Sequence, residues 1–112
     1  MYKELILFRN ELKNKSIPKY KIIGIVSELL LSKQIFVKNA DIEEFLRDVF
    51  GMKFKNYLYK SRTMIVARVT KEIVKLEMDS NYRNKLYKFI QKKIDETKDK
   101  EKKEKNDLDR WI

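Results

Sequence analysis

Two glycines and one proline in 112 residues constrain this chain more than any other feature of it. A β-sandwich or barrel turns roughly every 8–12 residues and draws on Gly, Pro, Asn and Asp to do so. A chain so poor in chain-breaking residues favours long helices with few interruptions. Its length suits one domain, and an apolar fraction of 43% is enough for one modest core. The expected fold class is all-α, a compact bundle of about five helices over residues 1–95. A charged extension over residues 96–112 completes the chain.

Apolar spacing marks the helices. Tyr2, Leu5, Phe8 and Leu12 share one face of a first helix over residues 2–14. Ser16 suits a cap and Pro18 a first turn, opening a second helix over residues 18–32. That helix carries Ile22, Ile23, Ile25, Val26, Leu29 and Leu30, which makes it the expected core helix. Gly24 inside it costs about 1 kcal/mol against Ala, so close packing is expected there. Residues 34–38, Gln-Ile-Phe-Val-Lys, are short and β-branched and read as an extended or strand-like segment.

Asn39 is a suitable N-cap for a third helix over residues 39–50. Asp41, Glu43 and Glu44 then sit where the helix dipole favours negative charge. Ile42, Phe45, Leu46, Val49 and Phe50 form its stripe, and Gly51 ends it. After a short turn, residues 54–76 read as one long helix with Phe54, Leu58, Ile65, Val69, Ile73 and Leu76 along one side. Residues 63–69 are β-branched enough to allow a strand instead. A last helix starts at the Asp79-Ser80-Asn81 cap and carries Tyr82, Leu86, Phe89, Ile90 and Ile94. Residues 95–107 contain no apolar side chain and alternate in charge, as a solvated helix or a disordered tail would.

Residue types absent from the chain exclude much chemistry. Without Cys there is no disulfide or thiol chemistry, and without His the commonest general base and metal ligand are missing. The carboxylates Asp41, Glu43, Glu44 and Asp48 are explained by their place at a helix start, so no metal and no cofactor are expected. No Gly-rich phosphate loop or nucleophile-base pair occurs, and the chain is not expected to be an enzyme. No stretch approaches the roughly 18 apolar residues of a membrane span, and no signal peptide is evident. A cytoplasmic location is the expectation.

Charge points to a partner. The net charge is +10, from 27 basic and 17 acidic side chains. Residues 1–38 carry net +5, residues 39–52 net −3, residues 53–77 net +5 and residues 78–112 net +3. An acidic, capped helix therefore lies between basic segments. Nucleic acid is the usual anionic partner of such a chain. The Lys-rich composition also suits an AT-rich genome, and with it a small protein of a plasmid, phage or other mobile element.

The order of a core helix, a capped helix, a Gly-containing turn and a basic helix resembles the three-helix core of the helix-turn-helix superfamily, over roughly residues 18–72. Its winged members follow the recognition helix with a hairpin, for which this chain has no Gly-rich turn signal. The resemblance implies a recognition helix starting near Lys53, with Lys53, Lys55, Asn56, Tyr59, Lys60, Arg62 and Thr63 facing DNA. Arg62 would read guanine and Asn56 adenine. The basic residues would neutralise phosphates, with Tyr59 and Thr63 bonding to phosphate oxygens. It also implies a homodimer, joined through residues 80–94 or 2–14. DNA is expected ahead of RNA.

Other roles stay open for several of these residues. Residues 53–63 can be the solvated face of a bundle, Tyr57 and Tyr59 can stack on bases, and Arg68 can pair with Asp48. Leu108, Trp111 and Ile112 follow a charged spacer and suit docking to a protein partner, a fold-back or a dimer. Two further functions fit the composition: an adaptor for an acidic protein and an RNA-binding subunit of a ribonucleoprotein.

Overall fold

The computed structural model describes residues 1–77 and 79–109, the last eleven of these as backbone only. Five α-helices and one short 3₁₀ turn make up its elements, and no strand occurs among the described residues. Helix α1 spans Tyr2–Leu12, α2 Lys19–Leu31, α3 Asn39–Phe50, α4 Arg62–Lys75 and α5 Ser80–Asp109. The 3₁₀ turn, Asn56–Lys60, lies between α3 and α4. Residues 63–69 are therefore helical, and they form no wing.

The helices pair antiparallel. Helix α2 packs on α4: Lys19 at the start of α2 donates from Nζ to the carbonyls of Val74 (3.1 Å) and Leu76 (2.7 Å) at the end of α4. Helix α1 packs on α5 in the same sense, with Arg9 bonded to Gln91 and Arg83 to the Leu12 carbonyl. Helix α3 lies against α5 through aromatic rings. Phe89 sits 4.5 Å from Phe45 and 5.7 Å from Phe36, and Tyr82 stacks on Phe50 at 5.9 Å. The core is continuous, from Leu5 and Leu12 through Ile25, Leu29, Ile42 and Leu46 to Ile65, Ile73, Leu86 and Ile90.

Several local expectations are corrected. The first and second helices begin and end close to where the apolar spacing places them, but Ser16 does not cap α2. Pro18 occupies that position with extended backbone and no side-chain cap bond. Gly24 faces solvent, and a Cβ built on it meets nothing within 4 Å, so no close packing occurs there.

Residues 33–38 form turns and bends rather than a strand. Their adjacent apolar pair, Ile35 and Phe36, plugs the core, and the Phe36 amide returns to the Ser32 carbonyl at 3.0 Å. A strand buries alternate residues, not neighbours, and no second strand is present to pair with it. At the start of α3 the cap position falls on Lys38, whose amide donates to Asp41 Oδ2 at 3.3 Å. Asn39 turns inward instead. Gly51 ends α3 as expected, at φ 66°, and the Gly51 and Met52 amides close on the Arg47 and Leu46 carbonyls.

The long helix expected from residue 54 is broken. Leu58 and Tyr59 lie on the 3₁₀ turn ahead of α4. Both are buried. Ser61, with extended backbone, interrupts the helix there and starts α4 as its N-cap. Helix α5 starts as its cap signal predicts, with Asp79 Oδ1 accepting from the Asn81 (2.9 Å) and Tyr82 (3.2 Å) amides. No helix among the described residues is long and apolar enough to cross a membrane.

Candidate nucleic-acid interface

The residues singled out between positions 53 and 63 divide into two groups. Lys53, Lys55, Asn56, Lys60 and Thr63 are exposed. Tyr59 and Arg62 are turned inward. The helix expected to start near Lys53 starts at Arg62, so the first of these residues stand on an extended segment and a 3₁₀ turn, not on a helix.

Arg62 is an internal brace. Its Nε donates to Asn39 Oδ1 at 2.7 Å, and its Nη1 to the carbonyls of Leu30 (3.0 Å) and Ser32 (3.2 Å) at the end of α2. Its Nη2 reaches the Phe36 carbonyl. A planar guanidinium suits this fork of acceptors. Asn39 completes the brace by donating from Nδ2 to the Tyr59 carbonyl at 2.7 Å. One arginine and one asparagine thus tie together the end of α2, the start of α3, the 3₁₀ turn and the start of α4.

Tyr59 is buried, and its hydroxyl makes no hydrogen bond of good geometry. Burial, and then the Glu43 carboxylate, push its pKa up from the ordinary value, against a smaller opposing effect of the Phe54 backbone. With Leu58 and Met52 it anchors the loop from beneath.

What the anchored loop presents is basic. Lys53 and Lys55 are both exposed, with the half-buried Phe54 between them. The Arg68 guanidinium lies 5.8 Å from the centre of the Phe54 ring, and its Nε is 3.6 Å from Glu72 Oε1. Arg68 therefore pairs one helical turn along its own helix, not with Asp48, which instead lies 3.8 Å from Arg47. Lys53, Phe54, Lys55, Tyr57, Leu58 and Arg68 line a hollow of about 370 Å³. Among the described residues no carboxylate lines it.

Helix α4 extends this surface. Met64, Ala67, Arg68, Lys71 and Lys75 are exposed on its outer side. Six exposed cations thus fall between residues 53 and 75, and Glu72, the sole carboxylate in that stretch, is held by Arg68. Lys71 and Lys75, which the sequence reading did not single out, are exposed beside Arg68, and Arg68 pairs with Glu72 rather than Asp48. The spacing of Arg68, Glu72, Lys71 and Lys75 carried the signal, since residues three and four apart are helix neighbours.

Elsewhere the surface differs. Asp41, Glu44 and Asp48 make the outer side of α3 acidic. No group of three potential metal ligands converges among the described residues. Leu108, Trp111 and Ile112, expected to bind a partner, lie outside the residues whose side chains are described.

Comparisons with protein families, with curated proteins and with solved structures find no match for this chain. What its own geometry defines is an all-helical bundle with an anchored basic loop.

Proposed function

We propose that this chain is a binding protein for nucleic acid, DNA ahead of RNA, acting from the cytoplasm and without catalysis. The contact surface is Lys53, Lys55 and Lys60 together with the outer side of α4. The observation that carries the proposal is the run of six exposed cations from residue 53 to residue 75, whose one carboxylate is already paired. The resemblance to the helix-turn-helix core enters in altered form. Eleven residues, 51–61, separate α3 from α4 in place of a tight turn. The homodimer expected through residues 80–94 or 2–14 stays part of the proposal; within one copy α1 and α5 pack against each other.

The test is binding of labelled duplex DNA followed by anisotropy across a salt series. Each phosphate contact adds about 0.9 to the slope of log affinity against log salt, so a slope of about −4 to −5 is expected. Changing Lys55, Lys60 and Lys71 together to Glu should abolish binding. Unchanged affinity in that variant, or no binding of either duplex or single strands at low salt, overturns the proposal.

A further inference from the structure

We infer that the hollow beside α4 holds one unpaired nucleotide, with its phosphate among Lys53, Lys55 and Arg68 and its base stacked on Tyr57. The inference rests on the nucleic-acid proposal and narrows the ligand of the same surface.

Tyr57 is 61% exposed. The two residues that follow it, Leu58 and Tyr59, are buried, and the Tyr59 carbonyl is held by Asn39. The backbone under the exposed ring is therefore fixed, which lowers the ordering cost of using the ring as a platform. Tyr20 is also exposed, at 71%, but it lies on α2 away from this hollow. Tyr57 differs because three cations line the same hollow and no acid does. At about 370 Å³ the hollow lies within the roughly 300–1,000 Å³ of small-ligand sites.

The chemistry of the lining selects an unpaired base. Phosphate is matched by the two lysines and by Arg68, whose plane is steadied over Phe54. A flat, apolar face with a polar edge is matched by the Tyr57 ring. In a duplex each base face is covered by its neighbours, so a ring on the protein has nothing to stack against. Single strands and unpaired ends expose those faces, and aromatic platforms beside cationic grooves are how such strands are held without sequence preference. Asn56, exposed next to Tyr57, can bond to a base edge.

The experiment compares single-stranded DNA, single-stranded RNA of the same sequence and blunt duplex DNA at one salt concentration. The proteins are the unchanged chain, Tyr57→Ala and Tyr57→Phe, each checked for helicity by circular dichroism. The unchanged chain should prefer single strands to duplex by about tenfold or more, the scale of one stacked base. The Tyr57→Ala change should bring that ratio close to one, and Tyr57→Phe should keep it, because stacking uses the ring and not the hydroxyl. A ratio that Tyr57→Ala does not move overturns the nucleotide hollow while leaving the nucleic-acid proposal standing. Absence of binding to all three ligands overturns both.

Discussion

Replacing Arg62 separates a structural cation from a ligand-binding one. Four acceptors converge on its guanidinium: Asn39 Oδ1 and the carbonyls of Leu30, Ser32 and Phe36. A hydrogen bond to a charged group contributes about 1.5–3 kcal/mol when well buried. The site is only partly buried and water can reach some of the freed carbonyls, so a plain sum overshoots. Arg62→Ala is expected to cost about 3 kcal/mol, or a fall of about 10–15 °C in Tm at this chain length. Arg62→Lys should recover about a third of that, since an ammonium cannot match the planar fork. Arg62→Met keeps the stem and should behave like Ala, which assigns the loss to the bonds and not to packing. Urea unfolding followed by circular dichroism measures each value, with an unchanged m. Lys19→Ala and Arg83→Ala, which remove one or two bonds each, should cost about 1 kcal/mol. A loss below about 1 kcal/mol at Arg62, or a drop in nucleic-acid affinity at unchanged stability, would refute the brace.

Two further outcomes test the backbone and the buried phenol. Gly24→Ala should stabilise by about 0.5–1 kcal/mol, because the position is mid-helix, exposed and open to a Cβ. Gly51→Ala should destabilise by about 1 kcal/mol, because φ is 66° there. Thermal midpoints moving in the same direction would contradict this contrast. Tyr59 has a pKa raised above the ordinary 10.0, so its contribution is complete below that value and is lost as pH rises through the folded pKa. Ultraviolet titration of the phenols should show a late step that Tyr59→Phe removes, and a variant with an unchanged curve would count against the burial.

Periodicity made four of the helices legible. Leu5 and Leu12, the Ile22-to-Leu30 run, the Ile42-to-Phe50 stripe, and Leu86, Ile90 and Ile94 are all buried as their spacing demands. The caps Gly51 and Asp79 were equally readable. The start of α4 was not, because Leu58, Ile65, Val69 and Ile73 stay in helical phase across the break. The break shows only in the extended backbone of Ser61, which no periodicity of apolar residues marks. The segment around Ile35 and Phe36 misled for the opposite reason: β-branched residues were present without a partner strand. Asn39 and Arg62 have the right chemistry for a cap and a base reader. Their partners lie between 20 and 32 residues away and are invisible to local pattern. At the site, composition located the basic stretch. Which cations face outward depended on the fold.

The scarcity of glycine connects these corrections. Helices commonly end on a glycine in the left-handed conformation, which satisfies the last carbonyls. With only two glycines, and one of them inside α2, the chain can end a single helix that way, and α3 uses it. The ends of α1, α2 and α4 are closed instead by cations from their packing partners: Arg83, Arg62 and Lys19. Positive charge is favourable at a helix C-terminus in its own right, so each of these contacts both caps one helix and fixes its register against another. Lys and Arg in this bundle therefore do two separable jobs. Those that converge on carbonyls hold the fold, and those on the loop and outer side of α4 bond to no carbonyl among the described residues, with Arg68 alone among them paired, to Glu72. The second set, not the net charge as a whole, is what an anionic partner would meet.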